Sequence, residues 1–442
     1  MHWEQLLSLK RFGDKHKRLR SEQDALRPGF DVDYDRIIFS TPFRLLQDKT
    51  QVIPFSKTNF VHTRLTHSLE VSVVARSLGR MVGHEVLKKH PSLHTIEGFA
   101  ANDFGSITAA AALAHDIGNP PFGHSGEKAI GHFFTHGQGK TYASQLTDAQ
   151  WHDLTHFEGN ANGYRILNRF HQEKGGLRLS YATLGAFIKY PKASVPVKPT
   201  ARIAHKKYGY FQSEKAFFED LVAELGLEKI AKSDTYARHP LVYLVEAADD
   251  ICYTLIDFED GINLGLIPEE FALEFLVKIV AENINTDKYS KMPYLEDRIA
   301  YLRAISINTL VKEVVEIFMQ HETEILSGNF STSLLEKSKF KVQIEDIIKI
   351  SVQNIYRSKE VLEKELMGFR AINGLLETYT NAAIHRLQGK ENTFDKLVLQ
   401  SLPAQILEVE NDDVYTQLMQ ICSHIALLTD SQAMDLNKKL NG

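Results

Sequence analysis

Apolar residues in this chain recur at three- and four-residue spacing over long stretches, and that period restricts its fold more than any single motif. Leu69, Val73, Val74, Leu78, Met81 and Val82 form one stripe, Ile107 to Leu113 a second, and Leu241, Leu244, Val245, Ala248, Cys252 and Leu255 a third. Residues spaced in this way share one face of an α-helix. The same period continues through Leu310 to Phe318, Ile344 to Leu366, Ala371 to Ile384 and Val414 to Leu428, with few prolines and no long alternating run that would mark a strand. A mainly α fold is expected. Its helices should break at Pro91, at Asn119-Pro120-Pro121, at Gly175-Gly176, across Pro191, Pro196 and Pro199, and at Gly261, which suits a helix C-cap.

The 442 residues suffice for a sizeable core, and 43% hydrophobic with 24% charged residues is ordinary globular composition. No apolar run approaches the roughly 20 residues of a membrane-spanning helix. The opening MHWEQLLSLKRFGDKHKRLR lacks the apolar block and cleavage site of a secretory signal, so a cytoplasmic location and no membrane partner are expected. Cys252 and Cys422, the only cysteines, exclude a disulfide framework and a thiolate zinc cluster. A net charge of −5 argues against bulk affinity for nucleic acid, so a polyanionic ligand needs a local basic patch. Ala186 to Lys215 supplies one: Lys189, Lys192, Lys198, Arg202, Lys206, Lys207 and Lys215 stand against Glu214 alone, interleaved with Tyr190, Tyr208, Tyr210 and Phe211. Three prolines and Gly209 make this stretch a loop able to close over substrate.

Twelve of the 19 histidines lie between His62 and His171, which nominates that quarter of the chain as the chemical centre. Within it, HDIGNPPFGHSGE (115 to 127) puts His115 and Asp116 at the end of a small-residue helix that Gly118 and Pro120 stop. At a helix terminus two consecutive side chains can turn toward one ion, which inside a helix they cannot. Imidazole with carboxylate is a mixed N/O donor set for a divalent metal. RLTHSLEV (64 to 71) adds His67 near a helix start, and EAADDICYTLIDFEDG (246 to 261) adds Asp249 and Asp250 among apolar neighbours. Tyr253 and Asp257 follow Asp249 at i+4 and i+8, on the same helix face. Glu127 follows His124 by three, the spacing of a His–carboxylate pair that orients the imidazole for proton transfer. His156, before Phe157-Glu158-Gly159-Asn160, is a second candidate for proton transfer or phosphate contact.

These segments, with DYDRIIFSTPFRLLQDKTQV (33 to 52), FEGNANGYRIL (157 to 167), KYP (189 to 191), KKYGYFQSE (206 to 214) and HIALLTDSQAMDL (424 to 436), resemble in type and order the deoxyguanosine triphosphate triphosphohydrolases and related dNTP triphosphohydrolases of the HD phosphohydrolase superfamily. The resemblance implies an HD-domain helical core with an N-terminal extension, a basic loop insertion and a C-terminal helical region. The corresponding division is 1–60 contributing to the active site, 61–261 as the HD core, and 262–442 as a helical region for oligomerisation. It implies hydrolysis of a deoxynucleoside triphosphate at the α-phosphorus, releasing deoxynucleoside and intact triphosphate.

Carried over residue by residue, it makes His67, His115, Asp116 and Asp249 ligands of a divalent metal (Mn, Mg, Fe, Ni or Co) and His62 a non-ligand. Arg64, Lys189 and Lys207 would contact phosphates; Gln51, Tyr253 and Asp257 would lie on the sugar side. Relatives often carry a second Arg where this chain has Leu45-Leu46, which removes one positive contact. A homo-oligomer (hexamer or tetramer), a second dNTP as allosteric activator, and single-stranded DNA are the partners implied. The competing readings are an HD phosphohydrolase for a nucleoside monophosphate or guanosine tetraphosphate, which shares the four ligands, and a nucleic-acid-binding regulatory module.

Overall fold

The computed structural model describes the chain except at positions 17, 25–26, 52–61, 170–175, 231–234, 281–282, 357–358 and 408–412. Val52, which ends the first motif, His171 and Gly175 lie outside the described residues. Among the described residues helices dominate, and β-type pairing is confined to isolated bridges such as Thr50 with Thr63.

The main helices are α1 (Gly29–Ile38), α2 (Arg64–Lys89), α3 (Ala101–Ala114), α4 (His124–Thr135), α5 (Asp148–Thr155), α6 (Gly159–Arg169), α7 (Val242–Asn263), α8 (Leu295–Gln320), α9 (Lys341–Ser351), α10 (Lys359–Leu387), α11 (Val414–Leu427) and α12 (Asp430–Asn441). The pair α2–α3 is the scaffold. Thr63 starts α2 by accepting the N–H of Thr66, whose own hydroxyl oxygen accepts the N–H of Thr63; this reciprocal cap satisfies two otherwise orphaned donors. The buried face of α2 runs through His67, Val71, Ala75, Leu78, Val82 and Val86. Val73 and Met81, counted in the same stripe from sequence, are exposed instead. Gly79 and Gly83 take the buried positions: a Cβ at either would collide with Thr108 or the Phe104 ring of α3, so the missing side chains let the two backbones close up. α3 answers with Ala109, Ala110, Ala111 and Ala112, all buried.

Two hydrophobic clusters organise the rest. The first joins the N-terminal Trp3, Leu6 and Leu9 to α1, α2, α3, α7, α8 and α9. The second joins Phe122, α4 and α5 to the later part of α10 and to α11. Each fully buried Leu, Ile or Phe contributes roughly 1.5–3 kcal/mol. The segment from His115 to Gly123 runs from one cluster to the other, with Ile117 in the first and Phe122 in the second.

Two boundaries differ from the sequence expectation. α7 continues past Gly261 to Asn263, and Gly265, at φ +69°, takes the left-handed position beyond its end; Gly261 is buried against Ile267 and Ile355. The apolar run from Ile344 to Leu366 is split, because α9 ends at Ser351 in a π-type turn over Val352–Tyr356 before α10 begins.

Candidate metal centre

α3 ends at Ala114, and His115 and Asp116 follow as its exit turn. His115 Nδ1 lies 2.7 Å from the Ala112 carbonyl, which can only accept, so Nδ1 donates there and Nε2 is the ring nitrogen left toward the neighbouring carboxylates. The third residue is His67, one helical turn after Arg64 on α2. Donor atoms of His67, His115 and Asp116 all fall within 4.8 Å of one another. Asp249 comes from α7, with Oδ1 3.2 Å from His67 Nε2 and 3.6 Å from His115 Nε2. His67, His115 and Asp116 fit a divalent cation by donor chemistry and by spacing, and Asp249 adds a second carboxylate within 3.6 Å of both histidines. Asp250, its neighbour, has no such contact with either histidine among the described residues; burial pushes its carboxyl up to about 7.

The charges around this group are paired. Burial alone would raise Asp116, but Arg64, His115 and His67 overcome it and bring the carboxyl down to about 2. Arg64 Nη1 donates to Asp116 Oδ2 at 2.6 Å, and the Asn119 amide donates to Oδ1. Asp249 is held far below the usual carboxylate range, since His115, the bond from His67, and Lys189 outweigh its burial. Lys189 Nζ stands 3.8 Å from Asp249 and 3.6 Å from Glu246. Glu246 is in turn clasped by the buried Arg238, whose Nε donates to the Lys189 carbonyl at 2.8 Å.

A second group adjoins the first. α4 starts at His124, so His124 and Glu127 do share a turn, with Nδ1 and Oε2 2.7 Å apart. The imidazole is 73% exposed while Glu127 is buried and accepts the Gly159 N–H. Lys207 Nζ bridges the carboxylates, 3.0 Å from Glu158 and 3.9 Å from Glu127. Gly123, at φ +56°, backs directly onto Arg64, where a Cβ would sit 2.6 Å from Nη2. This contact places the start of α4 beside the Arg64–Asp116 pair.

The other expected residues are arranged differently. His156 is exposed and stacks on His152 with centroids 3.9 Å apart; among the described residues it has no carboxylate partner like that of His124. His62 is bound by Asp260 at 2.9 Å and faces Glu70 at 3.3 Å. Tyr253 is half-buried and Asp257 fully buried along α7 beyond Asp249. Gln51 is half-buried. Of the basic loop, Lys189 and Lys207 meet the site's carboxylates, whereas Arg202 bonds the Gly328 carbonyl, Lys215 faces Glu219, and Lys192 is buried on the Ala193 carbonyl. Leu46 fills a core position, which explains an apolar residue there. Asn119, Glu158, Arg238 and Glu246 escaped the sequence reading as functional residues, although Asn119, Glu158 and Glu246 lie inside motifs that it had marked.

Comparison with known proteins places this geometry in context. The family described as HD domain matches residues 64–166. A deoxyguanosinetriphosphate triphosphohydrolase-like protein of Synechocystis is 41% identical over all of this chain and 99% of its own length. One of Listeria monocytogenes is 33% identical with full coverage of both chains. The deoxyguanosinetriphosphate triphosphohydrolase of Yersinia enterocolitica is 31% identical over 86% of this chain and 81% of its own. No helix among the described residues is long and apolar enough to cross a membrane.

Proposed function

The chain belongs to the deoxyguanosinetriphosphate triphosphohydrolase-like family of HD-domain hydrolases, and from that premise we propose that it hydrolyses deoxynucleoside triphosphates at the α-phosphorus to deoxynucleoside and inorganic triphosphate. The observation that carries this reading is the convergence of His67, His115, Asp116 and Asp249 beside three cations, Arg64, Lys189 and Lys207. A divalent ion held by those four residues would supply electrophilic polarisation of a phosphoryl oxygen and orient water.

The protein's own groups account for the rest. A triphosphate carries close to four negative charges, and charge-assisted donors recognise it best. Arg64, fixed on Asp116 through Nη1, brings its positive charge to the phosphates. Lys189 and Lys207 are held in place by Glu246 and Glu158, and both can turn to phosphate oxygens from the carboxylates that now neutralise them. His124 has its Nδ1 fixed by Glu127 and leaves Nε2 for the departing 5′-oxygen, to which it delivers the proton that makes deoxynucleoside a neutral leaving group. Positioning and charge neutralisation supply most of the rate. Gln51, Tyr253 and Asp257 form the sugar side. The region 262–442 serves assembly into a hexamer or tetramer, and a second dNTP acts as activator; the location is cytoplasmic.

Anion-exchange analysis of products tests this directly. Each dNTP, singly and in mixture, is incubated with Mn or Mg beside an Asp116→Ala control. Deoxynucleoside with intact triphosphate, absent in the control, is expected; pyrophosphate or single phosphates as first product, or no turnover in the mixture, would transfer the site to another nucleotide.

A further inference from the structure

The junction between α11 and α12 is tied to this site through two buried ionisable side chains that belong to neither the metal ligands nor the phosphate contacts. Lys49 is 2% exposed. Its ammonium donates to the Asn119 carbonyl and to the Ala426 carbonyl, each at 2.6 Å, while its own carbonyl accepts the N–H of Arg64 at 3.0 Å. One residue thus ties together the metal loop, the C-terminal end of α11 and the first residue of α2. Asp430, at the start of α12, is equally buried and makes the reciprocal set. Its Oδ2 accepts the N–H and hydroxyl of Thr50, and Oδ1 accepts the N–H of Phe122 at 2.9 Å. Thr429 and Ser431 flank it with hydroxyl bonds to Asp48.

Burying polar side chains is costly unless hydrogen bonds return the loss, and here every bond of the two side chains goes to the segments around the metal centre or to the α11–α12 junction. What they fix is specific. Asn119, whose carbonyl Lys49 holds, is the residue whose amide bonds Asp116. Phe122, whose N–H Asp430 holds, has φ +61°, a left-handed conformation a phenylalanine adopts only when its surroundings demand it, and it precedes Gly123, on which Arg64 rests. Thr50 precedes Gln51. We propose that Lys49 and Asp430 are positioning residues, which clamp the 48–51 segment and the 116–123 loop onto the α11–α12 junction and so set the placement of Asp116 and Arg64 in the metal centre. The chain's last helices are then part of the active site's framework, and a shift of α12 moves the 48–51 segment and the 116–123 loop together. This inference rests on the metal-dependent reading above.

The test uses the full chain with Lys49→Met and Asp430→Asn, alone and combined with Asn119→Ala. Mn(II) affinity is followed by electron paramagnetic resonance, together with kcat, KM and Tm. Displacement of a reacting group by about 1 Å costs about a hundredfold, and loss of a residue supporting a metal ligand weakens metal binding by about 10–100-fold. The expected result is a kcat fall in that range and weaker Mn(II) binding, with KM rising as well, because Arg64 and the 48–51 segment carry substrate contacts in the functional reading. If Lys49 acts through Asn119, its effect on kcat shrinks in the Asn119→Ala background. Wild-type kcat and Mn(II) affinity in either folded variant, or full additivity with Asn119→Ala, would overturn the proposal. Should Lys49→Met fail to fold, Asp430→Asn, which preserves shape and one acceptor oxygen, decides by the same measurements. Absence of triphosphate release by the wild type would defeat the functional reading alone, since the Mn(II) arm still reports on positioning.

Discussion

Asp116 meets Arg64 and Asn119 on its two oxygens, so it is oriented before any ion arrives. Removing it should therefore do more than delete one ligand. Asp116→Ala leaves the buried Arg64 guanidinium without its bonded carboxylate, and we expect both loss of Mn(II) binding by calorimetry and a fall in hydrolysis of about 10³-fold, the scale of several kcal/mol of electrophilic stabilisation. Glu127→Gln is a subtler change. The amide can donate to the imidazole where the carboxylate could only accept, so the proton on His124 Nδ1 is no longer enforced and kcat should drop by about 10²-fold with little change in KM. Stopped-turnover assays across the dNTPs would show it, and an unchanged kcat would remove His124 from proton transfer. At this scale His115 and Asp116 were readable as candidate ligands because adjacency at a helix end is a local property of the chain. Arg238 and Lys49 were not, because their worth depends on Glu246, Asn119 and Ala426, groups that only tertiary packing delivers.

Elements meet at this site through two kinds of contact, one steric and one electrostatic. The exit turn of α3 touches α6 at Gly118, where a Cβ would overlap the Gly159 carbonyl and the Gly163 amide. Gly118→Ala must push the metal loop away from α6, and overpacking of this kind costs about 1–3 kcal/mol. The expected outcome is a lower Tm together with weakened metal binding, whereas Gly79→Ala, which spreads α2 from α3, should lower Tm at least as much. A further electrostatic contact between the helices that carry the site is His62, which bonds Asp260 of α7 and faces Glu70 of α2. Asp260 and Glu70 raise its pKa from the ordinary 6.5 to about 10 against the opposing effect of burial. Because the folded value lies above the unfolded one, this stabilisation is complete below pH 6.5, declines as pH rises, and is gone above about pH 10. Wild type should lose more Tm between pH 7 and 10 than His62→Gln does, as differential scanning calorimetry can establish; parallel curves would show that the pairing contributes nothing. The helices themselves followed from periodicity, yet Val73 and Met81 were assigned to the wrong face, since glycine carries no hydropathy signal and Gly79 and Gly83 held the buried positions.

For the whole molecule, the sequence showed a mainly α chain but not that two hydrophobic clusters would divide it across its length. Residues before 10 share one cluster with α9, and α4 shares the other with α11, groupings that no local pattern encodes. The clusters leave some apolar groups uncovered. Val342, Leu362, Leu366, Met367, Phe394 and Leu397 are large, at least half exposed or nearly so, and all lie beyond residue 340. Leu362, Leu366 and Met367 share α10, whose later turns pack on α4: Asn373 donates to the Ala129 carbonyl, and Phe369 meets His132. A dispersed surface leucine is ordinary, but a run along one helix that also supports α4 is suited to burial against another copy. Light scattering should return four or six times the 50.1 kDa of one chain. Leu366→Glu buries a charge at such a contact without touching the metal group, so it should reduce the mass toward one chain while Mn(II) affinity stays within about threefold, buried unpaired charge being what an interface tolerates least. An unchanged mass in that variant would move the contact to another face of the C-terminal helices. A monomer in the wild type would instead leave α10 with no role in assembly, and its packing on α4 would stand as support for His124 alone.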